Sequence, residues 1–303
     1  MSQIVIIGLI VILVVVILLL PLIFRKKPSL LEGPDLAELK YSQVSFKNRA
    51  LTLSGMLFLP EGNGPFPVAV VIHGSGTSRR NSPWYLTVAQ HLQENGIAVL
   101  LPDKRGSEKS KGDWRNASFY DLADDAISAI DFIKDQKIFE YSTIGVIGFS
   151  QGGWIAPIVA GQDRKVAFIV SMSGAVVTTD ESLLYEEVNH LSNFTYRFIA
   201  DLVAPFTVRY IKRAELWQKI GGFDPLPYWQ SIDLPVFMAF GEKDKNVPVM
   251  ESVGRIECLN KSNFTIKVYP KVGHGIADLA THRVREDYLR DLVDFIAGVK
   301  SPA

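Results

Sequence analysis

Residues Gly148 to Gly152 read Gly-Phe-Ser-Gln-Gly, with an apolar run over 143–147 before them and a helix-like run over 154–160 after them. Strand, sharp turn and helix together form the context in which a Gly-x-Ser-x-Gly pattern carries chemical meaning. A serine on such a turn stands clear of the sheet edge. The flanking positions must be glycine, because side chains there would strike the neighbouring strand and helix. Ser150 is therefore the candidate nucleophile, and the chain around it must be built from strands that end in loops and lead into helices.

At 303 residues the chain can hold one large α/β domain with a sizeable core. Its 32 Lys and Arg balance its 32 Asp and Glu, so no charge excess points to a nucleic-acid partner. Cys258 is the only cysteine, which excludes an intrachain disulfide and reads as a small residue in a helix or core. With no Cys-x-x-Cys pair and no His-Glu-x-x-His helix, no metal site is expected.

The N-terminus departs from a soluble domain. Ile4 to Phe24 is an almost unbroken apolar run of about the length that spans a bilayer. A secretory signal would have a basic start, a shorter apolar core and a small-x-small cleavage site. Here Met1-Ser2-Gln3 has no basic side chain, and Leu18 to Phe24 offers no such site. The expectation is an uncleaved transmembrane helix over 1–24, by which the protein is membrane-bound. Arg25, Lys26 and Lys27 follow at once, and the positive-inside rule keeps that end in the cytoplasm with the short N-terminus outside. A juxtamembrane linker is expected over 25–40, and the folded domain over 41–303.

Within that domain, alternation over 44–46 and 51–59 around Asn48 predicts an antiparallel pair. A strand–helix rhythm follows. Strands are predicted over 68–72, 97–101, 143–147, 166–172, 236–240 and 264–269, with helices over 84–94, 120–134, 250–259 and 285–299 among them. Strands that are apolar throughout and alternate with helices imply a mostly parallel central sheet covered on both faces, an α/β fold. Residues 175–233 break the rhythm. Their apolar and aromatic side chains, Leu183, Leu184, Tyr185, Phe194, Tyr196, Phe198, Phe206, Tyr210, Trp217, Phe223, Tyr228 and Trp229, fall at helical spacings and predict a helical cap insertion lining an apolar pocket.

A serine hydroxyl needs a base, and the base needs an orienting acid. Of five histidines, His274 lies in Lys-Val-Gly-His-Gly just after the last predicted strand, where a loop can bring an imidazole beside the elbow. His73 reads as a loop-shaping residue; His91 falls in a helix, His190 in the cap and His282 beyond the His274 loop. Asp244, in Gly241-Glu242-Lys243-Asp244, falls where the loop after 236–240 should end, with Glu242 as its competitor. A tetrahedral oxyanion needs two backbone N–H donors. Gln151, at the start of a helix, is one candidate. The other comes from His73-Gly74-Ser75-Gly76, with Ser75 ahead of Gly74.

These segments, together with Asp103-Lys104-Arg105-Gly106, resemble the α/β-hydrolase superfamily over nearly everything from about 44 to 299. The resemblance is nearest to bacterial serine esterases and acyl hydrolases related to dienelactone hydrolases, prolyl-oligopeptidase catalytic domains and bile-acid acyltransferase-like thioesterases. The chain order Ser150, Asp244, His274 is that of the superfamily. The resemblance implies a triad of those three residues, no cofactor, and hydrolysis of a small-molecule ester or acyl substrate through an acyl-enzyme. Thioester and peptide bonds are the alternatives on the same fold, and a catalytically silent binding protein is the alternative outside enzymes. Serine in place of the dienelactone hydrolases' cysteine, and the lack of an N-terminal propeller, set the chain apart from two of those relatives.

Overall fold

The computed structural model describes residues 30–136, 139–163 and 165–300. The apolar run 4–24 and Arg25, Lys26 and Lys27 lie outside these residues. Among the described residues, no helix is long and apolar enough to cross a membrane.

Eight strands form a single sheet. β1 (Ser42–Asn48), β2 (Leu51–Phe58), β3 (Phe66–Ile72), β4 (Ala98–Pro102), β5 (Tyr141–Phe149), β6 (Ile169–Met172), β7 (Val236–Gly241) and β8 (Phe264–Tyr269) lie in the order β1-β2-β4-β3-β5-β6-β7-β8. β1 pairs with β2, and β2 with β4, in antiparallel fashion; every other neighbour is parallel. The parallel strands are joined by helices, as crossover geometry requires.

The two-residue period of the strands divides the core. On β3, Val68, Val70 and Ile72 face one layer, with residues of α2 (Phe119–Gln136) and α3 (Gly152–Gln162). Ala69 and Val71 face the other, with α1 (Pro83–Glu94) and α9 (Glu286–Gly298). Between β6 and β7 the chain makes four helices, α4 (Thr179–Leu191), α5 (Arg197–Ile211), α6 (Glu215–Ile220) and α7 (Leu226–Gln230); α8 (Val249–Glu257) then links β7 to β8. A capping box of Thr178 and Glu181 starts α4, where the chain leaves the sheet.

Two expectations need correction. The segment expected as a linker is docked from Leu31 onward. Glu32 N–H donates to the His282 carbonyl at 2.7 Å, the Arg283 guanidinium reaches Glu32 at 3.1 Å, and Leu31, Leu36 and Leu39 pack on the core. Their apolar side chains outweigh the proline-rich composition that reads as a linker. The predicted strand 166–172 begins only at Ile169, because its ladder to β7 opens at Ile169 and Val236.

Candidate active site

The carboxyl ends of four parallel strands converge on one crevice, where open α/β sheets hold their ligands. β5 ends at Phe149, and Ser150 follows with a φ of 50°, in the left-handed region that non-glycine residues seldom occupy. The turn is held by Ser150 N–H donating to the Met172 carbonyl at 2.9 Å. Its closeness explains the glycines. A Cβ on Gly148 would stand 2.3 Å from the Gly152 oxygen, and one on Gly152 would stand 2.3 Å from the Ile72 oxygen.

The loops after β7 and β8 meet the elbow. His274 Nε2 lies 3.0 Å from Ser150 Oγ, and its Nδ1 lies 2.8 Å from Asp244 Oδ2. The other Asp244 oxygen accepts the N–H groups of Asn246, at 2.8 Å, and Val247, at 3.1 Å. Asp244 is buried, and Lys243 N–H fastens its loop to the Val272 carbonyl beside His274. Glu242 points away instead, accepting the Lys271 N–H and pairing with Lys243 at the surface. Burial opposes a charge on His274. The Asp244 carboxylate, its hydrogen bond and the more distant Glu186 outweigh that penalty and hold the imidazole above its ordinary value. A hydroxyl, an imidazole and a buried carboxylate in this order can pass a proton from Ser150 to His274 while fixing the ring's tautomer.

Gln151 stands at the N-terminal cap of α3, so its N–H belongs to the first turn, where intrahelical partners are lacking. Facing it is the loop after β3. Gly74 N–H donates to the Tyr85 hydroxyl at 3.1 Å, whereas Ser75 is exposed at the crevice. His73 is a buried bracket: its Nε2 hydrogen-bonds the Pro102 carbonyl, its ring packs edge-on against Tyr85, and burial pushes it down to about 4. His190 lies in α4, His91 in α1, and His282 against Glu32, all apart from Ser150.

A cavity of about 680 Å³ opens over these groups, lined by Gly74, Ser75, Ser150, Gln151 and His274. Its walls include Trp84, Trp154, Leu183, Leu216, Trp217, Ile220 and Val247, with Arg79, Glu186 and Asn246 as polar members. The cap supplies Leu183 and Trp217 as expected. Phe198, Phe206 and Tyr210 are turned to solvent, and Trp229 is buried in the main core. Composition alone did not separate these three fates.

Three contributors escaped the sequence reading. Trp84 packs against His274 with ring centres 5.4 Å apart. Glu186, on α4, has its carboxyl raised by burial, an effect that His274 lowers and Asp244 raises. Lys104 is buried and donates to the Gly74 carbonyl at 2.9 Å and to Gln151 Oε1 at 3.0 Å. The cluster of Asp103, Lys104 and Arg105 directly after an apolar strand was the signal for the last. Asp103 is neutralised by Arg80 through contacts of 2.8 and 2.7 Å, and Arg105 by Asp125, leaving the lysine to turn inward. Among the described residues, no group of three or more His, Cys, Asp or Glu side chains is arranged to hold a metal ion.

An eight-stranded, mostly parallel sheet of this order, with a serine in the left-handed region at the end of β5, is the architecture of the α/β-hydrolase fold. The chain belongs to the prolyl oligopeptidase family, whose profile matches residues 83–301. It is similar to the esterase EstD of Thermotoga maritima, 23% identical over 251 residues that cover 76% of this chain and 60% of that one. It is also similar to the acylamino-acid-releasing enzyme of Rattus norvegicus, 22% identical over 263 residues covering 81% of this chain and 33% of that enzyme. The chain thus spans less than two thirds of either relative's length. Among solved structures, an esterase of Pyrococcus furiosus superposes with a TM-score of 0.67 at 21% identity, covering 91% of this chain and 100% of that one.

Proposed function

We propose that this protein is a membrane-anchored serine esterase whose triad is Ser150, His274 and Asp244. Ser150 attacks the ester carbonyl, His274 takes its proton and returns it to the leaving alcohol, and Asp244 holds the imidazole. The N–H groups of Gln151 and Ser75 receive the oxyanion, and water then releases the acyl group from Ser150. The observation that carries this reading is the unbroken contact from Ser150 Oγ to His274, at 3.0 Å, and on to Asp244, at 2.8 Å. The cavity around Ser150 has room for an acyl chain against Trp154, Leu183, Leu216, Trp217 and Ile220. Esters come first because an alcohol leaves more readily than an amine. The family and the acylamino-acid-releasing relative favour peptide bonds as a second reading.

Anchorage rests on the apolar run 4–24, with Arg25, Lys26 and Lys27 keeping the domain in the cytoplasm. The test of the chemistry is a fluorophosphonate, with the modified residue mapped by peptide mass spectrometry. A panel of p-nitrophenyl esters of graded length, acyl-thioesters and acyl-peptides accompanies it. Label on Ser150 and turnover of esters above peptides are expected. Label elsewhere, or none, overturns the triad assignment.

A further inference from the structure

Helix α5 is amphipathic in an inverted sense. Its small face, Ala200, Ala204 and Val208, is buried, with Ala200 and Ala204 packing against Val188 and Leu191 of α4. Its large apolar side chains point the other way: Phe198 is 69% exposed, Leu202 70%, Phe206 72% and Tyr210 74%. Recurring at every fourth position, the four form a strip that winds slowly around one side of the helix. Singly exposed apolar residues are ordinary, but a contiguous strip of this kind marks a surface that something covers.

The tether and the charges say what covers it. Only residues 25–30 separate the end of the apolar run at Phe24 from Leu31, the first residue packed on the core, a reach of about 25 Å at full extension. The docked segment runs close beside Pro83 and Thr87 at the start of α1, which places it at the carboxyl edge of the sheet. The cap leaves β6 at that same edge. Arg209, Lys212 and Arg213 are exposed where the strip ends. Lys212 pairs with Asp180, while Arg209 and Arg213 have no ion pair among the described residues. Aromatic and aliphatic side chains bordered by cations, held within a short reach of a bilayer, match the interface of an anionic leaflet.

We propose that the α5 strip lies in the headgroup region of the bilayer, so that the mouth of the Ser150 cavity faces the membrane and takes esters from it. The inference rests on the membrane-anchor reading, and its test separates the two. The full-length chain carrying Cys258→Ser and Phe206→Cys is labelled with an environment-sensitive fluorophore. It is then reconstituted in phosphatidylglycerol-containing vesicles with nitroxide lipids labelled high on the acyl chain. The unaltered chain labelled at Cys258 is the control, since that exposed cysteine ends α8, which returns to the opposite edge of the sheet. The Phe206 label is expected to shift to the blue and to be quenched several-fold more than the Cys258 label, with Leu202→Cys behaving alike. Phe198→Ser with Phe206→Ser is expected to slow hydrolysis of a vesicle-borne long-chain ester several-fold, leaving a short soluble ester unaffected. A Phe206 label that stays solvent-like while the protein floats with the vesicles overturns the strip's docking and spares the anchor. Loss of flotation overturns both. A shift that follows protein concentration and ignores the nitroxide assigns the strip to a second copy of the chain and overturns the proposal.

Discussion

Lys104 Nζ donates to the side-chain oxygen of Gln151 at 3.0 Å while also donating to the Gly74 carbonyl at 2.9 Å. One buried group thus clasps the two segments from which the oxyanion donors are proposed to come. The Trp114 ring lies 5.2 Å from the same nitrogen, and burial pushes Lys104 down to about 7.

Lys104→Met keeps the length of the side chain and removes both hydrogen bonds. It should lower kcat/KM by about tenfold to a hundredfold, less than the loss of an oxyanion donor itself. It should also change the pH dependence of stability. Because the folded state disfavours the ammonium, unfolding takes up a proton between about 7 and the ordinary value of 10.5, and stability contributed by this group rises with pH across that window. Denaturant midpoints measured from neutral pH to the onset of tyrosine ionisation should climb more steeply in the parent than in the variant. Equal slopes would contradict the assignment.

Asp244 and Glu242 stand two residues apart and have different fates. Asp244→Asn should cost about 10⁴ in kcat, because the amide stabilises the wrong imidazole tautomer. Glu242 is a surface group paired with Lys243, and Glu242→Gln should change kcat/KM by no more than about twofold. Steady-state kinetics on one short-chain ester decide between them.

In the proposed mechanism the acid limb of kcat/KM reports His274, which must be neutral to accept a proton. Held above its ordinary value of 6.5, it should give activity that rises with pH through a midpoint above 6.5. Glu186 contributes to that elevation, so Glu186→Gln should move the limb to lower pH without abolishing turnover. A limb that stays in place would show that the charge of Glu186 does not reach the imidazole.

Glycines in the same region make opposite predictions. Gly148→Ala would drive a methyl into the Gly152 carbonyl and should destabilise the fold by about 3 kcal/mol or more. Gly161, within α3, has nothing within 4 Å of where a Cβ would stand, and Gly161→Ala should stabilise by about 0.5–1 kcal/mol. Urea unfolding of the two variants beside the parent checks both.

The sheet was legible in the sequence because its strands are apolar runs bounded by turn residues; β8 spans Phe264–Tyr269, as its composition predicts. The elbow was legible because glycine is the only side chain that fits on both sides of Ser150. Local pattern does not encode how loops from distant strands meet. Lys104 and Gln151 are 47 positions apart, and nothing near either one announces the other. The orientation of α5 was hidden for a related reason. Phe198 and Phe206 read as pocket lining until Ala200 and Ala204, on the other side of the helix, are seen to be what packs. The stretch before Lys40 read as a linker because prolines and a glycine mask Leu31, Leu36 and Leu39.

That stretch gives the molecule an unusual point of attachment. Glu32 joins the chain just after the proposed span to His282 and Arg283, which belong to the same return segment as His274. Any pull on the N-terminus is therefore first borne by the loop that carries His274, the proposed proton acceptor, ahead of the cap or the outer strands. Where the chain is cut sets how much of that brace survives. A version starting at Leu30 keeps every one of these contacts, whereas one starting at Lys40 loses the Glu32 contacts to His282 and Arg283.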